Sequence, residues 1–388
     1  MRIGLFTPVY PPMINGIAIS VKTLQKQLEK MGNDVYIITN NSKLENNFSN
    51  ESFLQAKSFP IFYQGLRVPF ICNNTLYEEI DKLKIDVIHN HSDLGFGGIS
   101  RIYAKATNKS HIHTNHCNYY EYAISNFGKG ATHILKYPIK LYTKSLCYTT
   151  DRIIAPSLEN YRFLKENIGI KRNIDIIPNG IDLNKFKNVD EVKLSLFKKK
   201  YEIDDSDLTI ICLSRLSKEK RIDEIIETMK YFKNSHVKLI IVGSGPDANR
   251  LRNIVLKENI SNIIFTGEIK HSEVPLYYNL ADIYITNSIA ETQGLTVIEA
   301  LASGLPVLCP NSPLYTNIVN DMENGMLFNN QEELIKIINF LLLDKDFVSF
   351  MKENTYKSIA DFSIEETTKK IVNIYQEEIA KKKELIRK

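Results

Sequence analysis

A chain of 388 residues exceeds the span of a single hydrophobic core, so two domains of ordinary size are expected. The 43% apolar and 24% charged fractions are those of an ordinary globular protein, and a net charge of +4 is too mild to imply a nucleic-acid partner. Five cysteines (Cys72, Cys117, Cys147, Cys212 and Cys309) without a C-x-x-C pair argue against a disulfide framework and fit a reducing compartment. From the N-terminus, "RIGLF", "SVKTLQKQLEKMG" and "DVYIIT" alternate a short apolar run with an amphipathic stretch of helical length. "DVIHNH", "SHIHTNH" and "DRIIAPS" carry the rhythm on, which is that of β-α-β units on a parallel sheet. No signal-peptide core precedes the first run, and no window approaches the roughly 18 to 20 apolar residues of a spanning helix. The expected location is cytoplasmic, with any membrane contact peripheral.

"IIPNGIDLNKF" then interrupts the pattern with Pro178, Asn179 and Gly180, and the charged "KLSLFKKKYEIDD" follows. This places an N-terminal domain at 1–177 and a hinge at 178–205. Beyond it "LTIICLSRLS", "VKLIIVGSG", "NIIFTGE", "DIYITNS" and "LPVLCP" restart the rhythm in a second domain, 206–365. Residues 366–388 read as a terminal helix with a basic end, either solvated or crossing back to the first domain. The expected fold class is α/β, with two doubly wound Rossmann-like domains facing each other across a cleft.

The chemistry concentrates in "ETQGLTVIEALASGLPV", where Glu291 and Glu299 stand eight positions apart. A helix beginning near Gly294 leaves the amides of Gly294, Leu295 and Thr296 unpaired at its positive end, which makes an anion site. Glu299 then lies roughly 7 Å along the axis while Glu291 stays in the loop. Two carboxylates around a phosphate-binding terminus suit a ligand with both hydroxyls and phosphates, a sugar nucleotide. "LSRLSKEKRID" adds Arg215 and Lys220 after the strand "LTIIC", where open α/β sheets bind ligands, and two cations match a diphosphate. "VGSGPD" is a tight strand-to-helix turn, equally readable as structure or as a phosphate contact.

The E-x7-E pair, "SRLSKEK", "GSGPD", "FTGEI" and "PNGID", in this order, resemble the family-4 retaining glycosyltransferases of the GT-B fold. "YPPMINGIAISVKTLQKQLEKMGNDVYIIT" resembles the acceptor domain of the same family. The resemblance implies that Arg215 and Lys220 hold the donor diphosphate, Glu299 the ribose and Glu291 the donor-sugar hydroxyls. It further implies that the amides of Gln293, Gly294, Leu295 and Thr296 touch phosphate and sugar, that the backbone at Ile269 meets the base, and that Gly16 lets the N-terminal loop approach the phosphates. The implied reaction retains configuration without an enzyme nucleophile, because the leaving diphosphate takes the acceptor proton on the same face. With two fixed cations on the diphosphate, no metal or other cofactor is required.

Five histidines, His89, His91, His111, His113 and His116, fall within 28 residues. The H-x-H spacing puts His89 with His91, and His111 with His113, on common strand faces, so a zinc site is conceivable. No Cys or carboxylate stands at ligand spacing, however, and the resemblance assigns His116 to the donor sugar.

For the acceptor, the stretch 122–150 sets Lys129, Lys136, Lys140 and Lys144 among aromatic and aliphatic residues, with no carboxylate after Glu121 until Asp151. With the apolar "FPIFYQGLRVPF", it suits peripheral contact with an anionic membrane. "HTNHCNYYEY" and "TPVYPPMINGIAISV" are, within the family, most similar to bacterial diacylglycerol glucosyltransferases. The expected reaction moves a hexose, glucose, from a UDP-sugar to a lipid hydroxyl. A capsular, cell-wall or lipid-linked saccharide is the alternative acceptor, and a sugar-nucleotide epimerase of the same fold the more distant alternative.

Overall fold

A computed structural model describes every residue except 12–15, 41–51, 61–66, 71–73, 94, 117–135, 188, 289–290 and 388. The chain divides into two compact units. One comprises Met1–Ile181 with Phe362–Lys388, and the other Asp182–Asp361.

In the first unit seven parallel strands lie in the spatial order Phe53–Gln55, Asp34–Thr39, Arg2–Phe6, Val87–Asn90, Ser110–Thr114, Arg152–Ala155, Asp175–Ile176. Alternation along each strand sorts the core into two faces. Leu5, Ile37 and Val87 pack with Val21, Leu24 and Leu28 of the helix Gly16–Lys30. Their neighbours Phe6, Ile38 and Ile88 pack on the opposite face with Ile80, Phe96 and Ile99.

The C-terminal helix Ile364–Arg387 belongs to this unit. Ile371, Val372, Ile374 and Tyr375 complete the first core, and Arg152 reaches Glu377 at 3.2 Å and Glu378 at 3.4 Å. Its amphipathic stripe is therefore covered, and its basic end does not stand alone, since Lys382 meets Asp151 at 3.2 Å.

The second unit holds six parallel strands in the order Ile263–Gly267, Val237–Val242, Leu208–Leu213, Ile283–Ile285, Val307–Pro310, Gly325–Phe328. One buried cluster spans the central strands and the helices Ile222–Met229, Gln331–Leu343 and Lys345–Asn354.

Of the segment 178–205 read from sequence as a hinge, residues 178–181 lie in the first unit and the rest is built into the second. Asn184–Lys187 and Glu191–Lys200 are helical, and Phe186 is buried against Tyr278 with ring centroids 6.3 Å apart. A phenylalanine in a polar, charged run is enough to anchor it. Where the chain leaves and re-enters the first unit, Ile181 and Ser363 form a parallel bridge, with Ile181 N–H donating to Phe362 O at 2.8 Å. The glycine of "PNGID" is required here, because a Cβ on Gly180 would lie 2.7 Å from the Ile364 Cα.

Candidate active site

Each sheet reverses its strand order once, and ligands of such sheets bind in the crevice outside the strand ends at that point. In the second unit the reversal falls between Leu208–Leu213 and Ile283–Ile285. The loops leaving these two strands carry Arg215, Lys220, Glu291 and Gln293.

Arg215 is exposed just beyond its strand, and Lys220 ends the short turn Lys218–Lys220. Arg221, in a left-handed conformation (φ 49°), grips both carboxylate oxygens of Glu224 at 2.6 Å, and Oε2 also accepts from Asn287 Nδ2 at 2.8 Å. That relay joins the two loops and fixes the backbone beside Lys220. Lys220 Nζ forms an ion pair with Glu291, 71 positions away, with side chains 17% and 22% exposed.

The "GSG" turn has a structural role. A Cβ on Gly243 would sit 2.0 Å from Ser214 O, and one on Gly245 2.2 Å from Leu216 O. Leu216 N–H donates to Ser244 O at 2.9 Å, and Asp247 N–H to Leu216 O at 3.0 Å. The glycines let this turn press against the cationic loop and hold it in shape. Ile269 is half-buried just past the strand Ile263–Gly267 in the adjoining loop.

The helix Leu295–Ala302 starts on Gly294, in a left-handed conformation (φ 69°) and without a side-chain cap. Its first carbonyl acceptor is Gly294 O, taken by Val297 and Ile298, so the amides of Leu295 and Thr296 have no carbonyl one turn earlier in the helix. Gln293 and Gly294 are buried. Beneath the terminus lie two buried tyrosines that sequence reasoning missed: Tyr284 OH donates to Thr296 Oγ1 at 2.8 Å, and Tyr278 OH lies 3.2 Å from both Thr296 O and Glu299 Oε2. The only sequence signal was a polar hydroxyl in otherwise apolar runs, "DIYIT" and "PLYYNL".

Glu299 retains an exposed edge, but protein crowds it closely. Burial pushes its carboxyl up to about 7, opposed by the Tyr278 hydrogen bond and by the charge of Lys185.

In the first unit the reversal falls between Arg2–Phe6 and Val87–Asn90, and the loop after the latter begins with His91. His91 Nδ1 lies 2.9 Å from His116 Nε2, and the two rings stack with centroids 5.2 Å apart. His89 bridges Tyr375 OH (2.6 Å) and Thr114 Oγ1 (2.7 Å). His113 Nε2 is 2.6 Å from Asp93 Oδ1, and Asn90 Nδ2 meets its Nδ1 at 2.9 Å. Asn115 donates to Asp93 Oδ2 at 2.8 Å and accepts from Asn160 at 2.8 Å, which clamps the residue preceding His116.

His111 turns away to Ser100 at 3.1 Å. His91 and His116 thus pair with each other while the other three rings engage separate partners, and among the described residues no group of three or more His, Cys, Asp or Glu could hold a metal ion. Burial, the first cause throughout, lowers His89 and His91 well below the usual histidine value, His116 to about 4 and His111 to about 3.

Gly16 is exposed at the start of its helix. Lys136, Lys140 and Lys144 lie on a helix over 136–149, while Lys129 falls outside the described residues. Lys136 is exposed and the other two half-buried, beside the exposed Tyr137, Leu141 and Tyr148. Phe59 and Phe70, on and just past an antiparallel hairpin (Ser58–Pro60 with Arg67–Pro69), are also exposed, ring centroids 5.4 Å apart. Among the described residues, no helix is long and apolar enough to cross a membrane.

The family model for Glycosyltransferase Family 4 matches residues 14–185, and that for Glycosyl transferases group 1 matches 195–358. The chain is 32% identical to an alpha-monoglucosyldiacylglycerol synthase of Streptococcus pneumoniae, over 98% of this chain and 89% of the relative. It is 30% identical to the synthase of that name from Acholeplasma laidlawii, over the full length of both. Among solved structures, Anabaena HepE in complex with UDP superposes with a TM-score of 0.79 at 16% identity, covering 97% of this chain and all of that one. The two parallel-sheet units, matched in turn by the two family models and along their whole length by these synthases, establish that the chain belongs to the family-4 glycosyltransferases of the GT-B fold and resembles bacterial diacylglycerol glucosyltransferases.

Proposed function

We propose that this glycosyltransferase moves glucose, with retention of configuration, from UDP-glucose to the hydroxyl of a membrane lipid such as diacylglycerol. The observation that carries the donor half is the convergence of Arg215, Lys220, Glu291 and the uncapped helix terminus at the strand-order reversal of the second unit. The names of the two synthases support the lipid acceptor.

In this reading the diphosphate sits on the amides of Gly294, Leu295 and Thr296, with Arg215 and Lys220 balancing its charge. Glu299 accepts from the ribose hydroxyls, the backbone at Ile269 meets the base, and Gln293 with Glu291 faces the sugar. Gly16 and His116, from the first unit, serve the phosphates and the sugar. The bond from the anomeric carbon to the diphosphate oxygen breaks as the acceptor oxygen bonds that carbon on the same face. The acceptor's proton passes to the departing oxygen. Preorganised cations and amides stabilise the charge developing there, so no metal is needed. Lys136, Lys140 and Lys144, with Lys129, draw the first unit to an anionic leaflet, each contributing about 1 kcal/mol.

The test is to supply UDP-glucose with diacylglycerol in mixed anionic vesicles and to identify the products by mass spectrometry and NMR. An α-glucosyl lipid with one UDP released per transfer is expected. Glucosylation of soluble saccharides alone would overturn the lipid acceptor, and conversion of the donor with no acceptor present would overturn transfer itself.

A further inference from the structure

Both rings of the His91–His116 pair are held neutral by burial, so each carries one N–H. Between His91 Nδ1 and His116 Nε2, 2.9 Å apart, lies room for one proton. If His116 donated it, His91 would be protonated at Nε2. That atom is buried and, among the described residues, has no hydrogen-bond partner. A buried N–H without an acceptor is among the rarest features of native proteins, whereas an unused lone pair is better tolerated. The lower-cost arrangement has His91 donating from Nδ1, with His116 accepting at Nε2 and carrying its proton on Nδ1.

We infer that His91 is a positioning residue that locks His116 in the Nδ1–H tautomer, so that His116 meets its ligand as a hydrogen-bond donor to a sugar oxygen. The clamp on Asn115 by Asp93 and Asn160 holds the backbone beside it, and the tilted contact of the His89 ring with His91, centroids 4.1 Å and planes 39° apart, limits the turning of the His91 ring. The lock rests on geometry within the first unit. Its use in transfer rests on the reading of His116 as a sugar contact.

Protein labelled with 15N-histidine, with resonances assigned through a His116→Gln variant, reports the tautomer directly in long-range proton–nitrogen spectra at pH 7.5. His116 protonated at Nδ1 is expected; protonation at Nε2 or on both nitrogens in the wild type would overturn the lock. His91→Asn keeps an N–H close to the place of Nδ1 and should retain both the tautomer and kcat to within about threefold. His91→Leu removes that donor, should release the tautomer preference and should lower kcat at least about tenfold, the size of loss that follows removal of a group orienting an active histidine. A His91→Leu spectrum in which His116 keeps its Nδ1 proton would also overturn the lock, whatever the activity. If the lock is seen but His116→Ala turns over normally, the sugar contact falls while the lock stands.

Discussion

Glu299 ties donor binding to pH, and the structure sets the size of the effect. Crowding by protein raises its carboxyl from 4.5 to about 7. A carboxylate that accepts from ribose hydroxyls binds best when ionised. One pH unit below 7 about a tenth of the groups are ionised, and one unit above about nine-tenths. Affinity for UDP-glucose should therefore strengthen roughly tenfold between pH 6 and pH 8. UDP-glucose is the right probe because its diphosphate, esterified at both ends, has no terminal phosphate to titrate in this range. The sign for stability is the opposite. A carboxyl raised in the folded state contributes stability that is fully present below 4.5 and is lost as pH rises through about 7, because the folded chain holds a proton that the unfolded chain has released. Calorimetric titration at several pH values measures the binding arm, and denaturant melts measure the stability arm. In Glu299→Gln both profiles should flatten, with weaker binding at pH 8. A wild-type affinity that does not change with pH, or a rise that persists in Glu299→Gln, would refute the assignment.

Arg215→Ala and Lys220→Ala should each cut turnover by about a hundredfold or more, the usual loss when one preorganised transition-state donor is removed; near-normal kinetics in both would remove the diphosphate assignment. Glu291→Gln should lower turnover yet tighten nucleoside diphosphate about fivefold, because Lys220 loses a partner in an ion pair worth on the order of 1 kcal/mol; weaker diphosphate binding by calorimetry would contradict this. Activity should survive exhaustive chelation, and loss restored by a divalent ion would show that fixed cations do not suffice. Replacing Lys136, Lys140 and Lys144 with Gln should weaken sedimentation with anionic vesicles on the order of a hundredfold while leaving nucleotide affinity unchanged, and unchanged sedimentation would leave the basic helix without that role.

Fold and family were legible in the sequence because their signals are local. Apolar runs such as "VKLIIV" and "DVYIIT" can be buried on both faces only in a covered parallel sheet, and their number and spacing imply two such sheets. The residues at strand ends were legible too, since a polar side chain just past a buried run must lie at the sheet's rim. Their partners were not. Nothing local joins Lys220 to Glu291, 71 positions on, or His91 to His116, 25 positions on. Tyr278 and Tyr284 read as ordinary core until the helix Leu295–Ala302 is laid over their hydroxyls. The glycines of "GSG" read equally as structure or as a phosphate contact until the cationic loop is packed against them. The terminal helix, ambiguous by charge, is assigned by Ile371 and Tyr375 filling the first unit's core. Alternation and turn chemistry are properties of neighbouring residues, so the sequence determines them by itself. Which buried hydroxyl, imidazole or carboxylate meets which depends on strand order, and strand order exists only once the sheet is assembled.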